Sequence, residues 1–396
     1  MTMTNPSHQH RAKKVKTIEE IFQEVNKRYI RLKKKDIKNN NSILYEVLEE
    51  LLTLMRNCDI LFNSLNPKLE YLGSYFDGLR VGQPTEYDIN VILNIHMDYS
   101  KIKLDGQGVQ NGYTIIKMPE EFRRLSKTPA TAVKGFKKTE LWCDRSHRLS
   151  VKLFRNWMQR VVEAALNKLP SEHGKRVLKI KDKDYKINFK VSGPANNITI
   201  CIENDNVIDI DLVPTLKFQL PKQPQTSKID FGKVQDTKVA HYFAVPKPTA
   251  HEFSWRLAFP YQERYYICNK NNLKSTLKLL KQFRDVQGFK KLASYFIKTL
   301  FLWEVVDKGD DFFKNSSLTF LVLHMLNKLK ECLSIGRIEN FWCPEHNLLE
   351  KIKLETCRNW SNRVTKVIKD IERNKLSNPH IIMKYFTLDT TRELDR

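Results

Sequence analysis

Gly73-Ser74-Tyr75-Phe76-Asp77-Gly78-Leu79-Arg80-Val81-Gly82-Gln83-Pro84-Thr85-Glu86-Tyr87-Asp88 sets a tight polar turn a fixed distance ahead of two carboxylates. Gly73 permits a backbone turn sharp enough for N–H groups and the Ser74 hydroxyl to reach phosphate oxygens, and Ser74 opens a helical turn whose positive end favours an anion. The run Tyr87-Asp88-Ile89-Asn90-Val91-Ile92-Leu93 is rich in β-branched and aromatic residues and reads as a strand. Side chains two apart on a strand share a face, so Glu86 and Asp88 point into one space. Hard divalent cations take such oxygen donors.

This is the layout of a nucleotidyl-transfer site. Phosphoryl transfer asks little covalent chemistry of a protein. It needs two Mg²⁺ or Mn²⁺ ions about 4 Å apart, one activating the attacking hydroxyl and one neutralising the leaving pyrophosphate. Two carboxylates rarely suffice for two ions. A third is expected from a neighbouring strand, and Val207-Ile208-Asp209-Ile210-Asp211-Leu212-Val213 offers it, an apolar strand interrupted by acids that are costly to bury without a counter-ion. On the residues alone either Asp209 or Asp211 can be the ligand. An isolated Glu-x-Asp is ordinarily a solvated strand end; the upstream Gly-Ser turn and the second acid-bearing strand single this one out.

A chain of 396 residues can bury a large core and favours two lobes over one globule. Its 68 Lys+Arg against 45 Asp+Glu give a net charge of +23, a field suited to a polyanion or an anionic membrane surface. The longest apolar run, Leu318 to Leu326, is broken by His324 and too short to cross a bilayer, and Met1 to His10 lacks the apolar stretch of a signal peptide. A cytoplasmic protein without a membrane span is expected. Seven scattered cysteines, an odd number, suit reduced thiols. Cys343/His346 and Cys143/His147 have ligand-like spacing but no second pair nearby, so no structural zinc is expected.

Along the chain, residues 1–16 read as a disordered basic tail, after which Thr17-Ile18-Glu19-Glu20 has the form of a capping box. A long spine helix should follow: Ile18, Ile21, Val25, Tyr29 and Leu32 share one face, and Lys27, Arg28, Arg31, Lys33, Lys34 and Lys35 crowd the other. Arg11 to Lys38 carries eleven basic and four acidic residues. Asn39-Asn40-Asn41 is expected to break or kink the helix, with Ser42 capping a second one that buries Leu44, Val47, Leu48, Leu51, Leu52 and Met55. Basic residues cluster again at Lys134, Lys137, Lys138, Arg145, Arg148 and Lys152, and from Lys175 to Lys190. Charge runs are usually solvated faces. Beside this site, in so basic a chain, they are expected to track a phosphate backbone, with affinity falling by a log–log salt slope of roughly −0.9 per phosphate neutralised. No base-reading motif is present, so shape and charge must do the recognising.

A polar link, Pro221 to Ser227, precedes a region with helical periodicity over Leu273 to Phe283, Leu292 to Trp303, Leu318 to Leu333 and Leu348 to Ile371. The predicted fold is α+β and bilobal, of the nucleotidyltransferase kind. A mixed twisted sheet with its N-terminal spine helix occupies residues 17–247, a helical lobe 248–380 and a tail 381–396, with a nucleotide cleft between the lobes.

The residues resemble the Mab-21 nucleotidyltransferases, and within them cyclic GMP-AMP synthase and the cGAS-like receptors of animals. Gly73 to Asp88 follows the family's Gly-Ser-aromatic-aromatic…Pro-x-Glu-aromatic-Asp signature, including Gly78-Leu79-Arg80-Val81-Gly82. Ser192-Gly193-Pro194-Ala195, Asp211 on its strand, Val245-Pro246-Lys247, Trp255-Arg256-Leu257-Ala258-Phe259, Ser294-Tyr295-Phe296-Ile297-Lys298-Thr299 and Pro344-Glu345-His346-Asn347-Leu348 follow in family order. The likeness covers nearly the whole chain after Thr17.

The resemblance implies that Glu86, Asp88 and Asp211 hold two metal ions, with Gly73 and Ser74 on the donor triphosphate. It implies that Arg256, Lys247 and Glu263 meet the nucleotides, that Tyr295 stacks on a base, and that Ser294 and Lys278 hold the triphosphate. The implied reaction joins ATP and GTP through two nucleotidyl transfers into a cyclic dinucleotide, in an antiviral innate immune sensor upstream of a STING-type receptor. Cyclic GMP-AMP synthase carries a zinc-binding insertion where this chain has only the short Arg264 to Leu273, with Cys268 alone. That departure implies double-stranded RNA as partner ahead of double-stranded DNA. The duplex would lie on Lys27, Arg28, Arg31, Lys33, Lys34, Lys35, Lys38, Lys137 and Lys138, with a dimer or higher assembly on the duplex compatible. Ala258 and Pro260 replace serines of the synthase, leaving base preference and linkage open. A linear oligonucleotide synthase or a catalytically idle scaffold are the alternatives, and retention of all three acids weighs against the second.

Overall fold

In the computed structural model, residues 16–95, 98–118, 141–202, 207–270 and 272–388 are described, with 120, 121, 124, 127 and 139 as isolated positions. The capping box forms at the start of α1 (Ile18–Val25): Thr17 Oγ1 accepts from Glu20 N at 3.2 Å, and the Glu20 carboxylate accepts from Thr17 N at 2.7 Å. One π-helical turn follows, and the chain extends at Arg31 (φ −70°, ψ 126°) before α2 (Lys34–Cys58) begins. The break therefore lies at residues 31–33, and the helix runs unbroken through Asn39-Asn40-Asn41, where interruption was expected. Two of those asparagines find tertiary partners that offset their poor helix propensity: Asn40 Nδ2 donates to Pro84 O at 2.9 Å, and Asn41 Oδ1 accepts from the Tyr75 hydroxyl at 2.6 Å.

After α3 (Ile60–Ser64), β1 (Lys68–Leu72) leads through the single turn α4 (Gly73–Phe76) to β2 (Glu86–Ile92). The sheet continues with β3 (Lys103–Asp105) and β4 (Tyr113–Lys117), and after α5 (Val151–Leu166) with β5 (Ser171–Glu172), β6 (Lys175–Ile180), β7 (Lys183–Ser192), β8 (Ala195–Cys201) and β9 (Val207–Gln219). α6 (Phe231–Asp236), β10 (His241–Val245) and β11 (Ser254–Ala258) complete it. The described strands form one mixed sheet in the order β3-β4-β11-β10-β9-β8-β7-β6-β5, with β2 pairing β9 in parallel and β1 antiparallel to β2. Pro214 sits inside β9 where the strand changes neighbours, since β8 pairs as far as Leu212 and β10 begins at Leu216. Its missing N–H costs no bond on that side.

The helical lobe comprises α7 (Pro260–Ile267), α8 (Leu273–Val286), α9 (Ser294–Lys308), α10 (Asp310–Asn315), α11 (Leu318–Ile335), α12 (Leu354–Asn374) and α13 (Met383–Phe386). α1 docks on this lobe: the Glu19 carboxylate accepts from Leu318 N at 3.1 Å and Thr319 N at 2.8 Å, an anion at the positive end of α11. α2 packs instead against α5 beside the sheet, so the N-terminal segment spans both lobes. Among the described residues, no helix is long and apolar enough to cross a membrane.

Candidate active site

Gly73 turns with φ +78°, and a Cβ there would stand 1.8 Å from Asp88 Oδ2. Only glycine lets the turn and the carboxylate share this space. The β1–β2 register, Leu72 opposite Asp88, sets this approach.

Glu86 and Asp88 lie in parallel register with Asp209 and Asp211, and in-register side chains of paired strands share a face. Four carboxylates thus border one patch of sheet. Asn197 Nδ2 donates to Asp211 Oδ1 at 2.9 Å, and Thr199 Oγ1 donates to Asp209 Oδ1 at 2.6 Å, so both β9 acids are oriented by β8. Withdrawal from water, then repulsion from Asp211 and Glu86, pushes the Asp88 carboxyl up to about 6. Glu86 turns to the Arg80 guanidinium, which also donates through Nε to Gln83 O at 3.0 Å. Among the described residues, no group of three or more His, Cys, Asp or Glu converges as a ready-made metal cage. The donor set nevertheless suits a hard divalent cation: carboxylate oxygens on one face, one of them disfavoured as an anion by burial and then by its acidic neighbours.

Glu86 and Asp88 border a cleft of about 1530 Å³ lined by both lobes. Gly73, Ser74, Glu86, Asp88, Lys247, Arg256, Glu263, Ser294 and Tyr295 all line it. Asp211 stands beside Asp88 without lining the cleft, and Lys278 does not line it either; burial and then the Arg31 and Lys274 cations lower its pKa. Lys281, one turn further along α8, takes the lining position; its Nζ donates to Leu79 O at 2.7 Å, and burial with Arg284 and Arg80 nearby brings its pKa down to about 8. At the other end Lys247 is depressed by burial, then by Arg256 and Lys351. The cleft is therefore acidic at its floor and cationic along its walls, an environment for a metal-bound polyphosphate.

Lys281 carried no signal in the sequence, and Arg80 stood out only as part of the Gly78-Leu79-Arg80-Val81-Gly82 motif. Asn197 and Thr199 left a trace, polar residues two apart on a strand beside the acids. Lys27, Arg28, Arg31, Lys33, Lys34, Lys35 and Lys38 are all exposed, and Lys137 and Lys138 lie outside the described residues.

Residues 75–268 match the Mab-21 protein nucleotidyltransferase domain and residues 272–366 the Mab-21 protein HhH/H2TH-like domain. The chain is 33% identical over 372 residues to a cyclic GMP-AMP synthase-like receptor of Aethina tumida, covering 93% of this chain and 91% of the relative. A protein of the same description from Tribolium castaneum is 32% identical over 364 residues, covering 90% and 89%. Another from Trichogramma pretiosum is 30% identical over 373 residues, covering 93% and 75%.

Proposed function

The chain belongs to the Mab-21 nucleotidyltransferase family, and on that footing we propose that it is a double-stranded-RNA-activated synthase of a cyclic GMP-AMP-type dinucleotide. The observation that carries this reading is that Glu86 and Asp88, on the floor of a cation-walled cleft, lie in register with Asp209 and Asp211 on the adjoining strand. Glu86, Asp88 and Asp211 would hold the two divalent ions, which when bound supply charge neutralisation at the leaving pyrophosphate. The Gly73-Ser74 turn receives the donor triphosphate, with Ser294 and Lys281 beside it. Tyr295 offers its ring to a base, and Arg256 with Lys247 offers a cationic seat to the second nucleotide. Asp88 must be ionised to hold a cation, and without metal its carboxyl is raised to about 6 by burial and by Asp211 and Glu86, so cation affinity is expected to weaken as pH falls.

The exposed cations of the α1–α2 junction and the first turns of α2 form the duplex surface. A cytoplasmic antiviral sensor feeding a STING-type receptor is the physiological role that fits this chemistry. The test is incubation with ATP, GTP and Mg²⁺ or Mn²⁺, with duplex RNA, duplex DNA or neither, products being identified by mass and nuclease sensitivity. A phosphatase-resistant dinucleotide appearing only with duplex RNA is expected. A linear product would identify an oligonucleotide synthase, and absence of pyrophosphate an idle scaffold.

A further inference from the structure

Asp77, which closes α4 three residues after Ser74, is buried, and its carboxylate accepts from Arg264 Nε at 2.9 Å and Lys298 Nζ at 3.2 Å. The same Lys298 ammonium lies 2.7 Å from Glu263 Oε2. Glu263 Oε1 in turn accepts from the Tyr295 hydroxyl and from Trp342 Nε1, each at 3.1 Å. Asp77, Arg264, Lys298 and Glu263 are two acids and two bases, so the buried charges balance. The chain of bonds runs from the phosphate turn, through α9 and α7, to the aromatic ring on the opposite wall.

We infer that Lys298 and Glu263 are positioning residues that fix the spacing between the Ser74 turn and the Tyr295 ring, acting on the nucleotide through those two groups instead of as its direct ligands. This rests on the nucleotide-cleft reading above and changes the part expected of Glu263. Both oxygens of its carboxylate are engaged by three protein donors, which leaves it poorly placed to recognise a base or ribose. Tyr295 spends its hydroxyl proton on Glu263, so the ring face is what it presents to a ligand. Burial alone would lower the Lys298 pKa, but Glu263 and Asp77 outweigh it and keep the ammonium charged. Lys298 and Tyr295 stand three apart on α9 and share its face, so one helix carries both the bridge and the ring it sets. A nucleotide spanning the cleft needs its two ends held at one separation, and this hydrogen-bonded network braces them.

The test uses the full chain and its Tyr295→Phe, Lys298→Met and Lys298→Arg variants. Binding of a non-hydrolysable ATP analogue with Mg²⁺ is measured by calorimetry, and KM and kcat for pyrophosphate release are measured with duplex RNA. Tyr295→Phe keeps the ring and removes the tether, and is expected to weaken binding and raise KM by about fivefold to tenfold. Any fall in kcat is expected to be smaller than the rise in KM. Lys298→Met should do the same or more, and Lys298→Arg should recover most of the loss. Tyr295→Phe binding the analogue as tightly as wild type, or Lys298→Arg faring no better than Lys298→Met, would overturn the inference while leaving the enzyme reading intact. A wild-type chain that binds no nucleotide would overturn both.

Discussion

A Cβ at position 73 would overlap Asp88 Oδ2, so Gly73→Ala must displace either the phosphate turn or the carboxylate, besides straining a backbone at φ +78°. Displacement of a reacting group by about 1 Å costs on the order of a hundredfold in rate, and that loss is expected in pyrophosphate release. Backbone strain of about 1–3 kcal/mol should accompany it in denaturant melts. Asp88 adds a pH signature. Its folded-state value near 6 lies above the ordinary 3.8, so between those values the folded chain binds more protons than the unfolded one. This group therefore costs stability as pH rises through that window, and the cost is complete above about 6. Metal-free Asp88→Asn should gain stability relative to wild type across that rise, measured by thermal melting at a series of pH values. A constant difference between the two chains would contradict the assignment. At this scale Glu86, Asp88 and the two β9 acids were legible, because strand alternation fixes a face from sequence alone. Asn197, Thr199 and the Asp77–Lys298–Glu263 bridge were not, since they arise from strand pairing and lobe docking between residues far apart in the chain.

Among the elements, α2 joins the exposed cations to the Gly73–Phe76 turn. Lys33, Lys34, Lys35 and Lys38 lie at its start, and Asn40 and Asn41 follow directly, bonded to Pro84 before β2 and to Tyr75 beside Ser74. Asn40→Ala with Asn41→Ala should cost about 1 kcal/mol per bond. Duplex-stimulated synthesis should drop while duplex affinity in a gel-shift assay stays unchanged; full stimulation in the double variant would show that the turn does not depend on α2. Charge reversal at Lys33, Lys34 and Lys35 should do the converse, weakening duplex binding and flattening its salt dependence while leaving nucleotide affinity alone. Unaltered activation would remove this helix from the binding surface. The capping box at Thr17 and the periodic C-terminal helices were readable locally. The Asn39-Asn40-Asn41 reading failed because the asparagines' partners, Pro84 O and Tyr75, lie more than thirty residues away in the chain.

The whole molecule is a sheet-bearing lobe and a helical lobe closing on one cleft, with α1 fastened to the helical lobe through Glu19 and α2 packed beside the sheet. The two-lobe order was legible from the shift in periodicity after the acid-bearing strands. Which lobe each N-terminal helix would join was not, since an amphipathic face records that it is buried but not against what. The net charge of +23 makes some polyanion affinity inevitable, so binding alone does not discriminate an enzyme from a scaffold. The proposed cation site does. Manganese binding, counted by electron paramagnetic resonance in the presence of a non-hydrolysable ATP analogue, should show the two-ion stoichiometry of a two-metal site in the wild-type chain. Glu86→Ala with Asp88→Ala should abolish it while duplex affinity and a cooperative unfolding transition are retained. Undiminished manganese binding in that double variant would contradict the account.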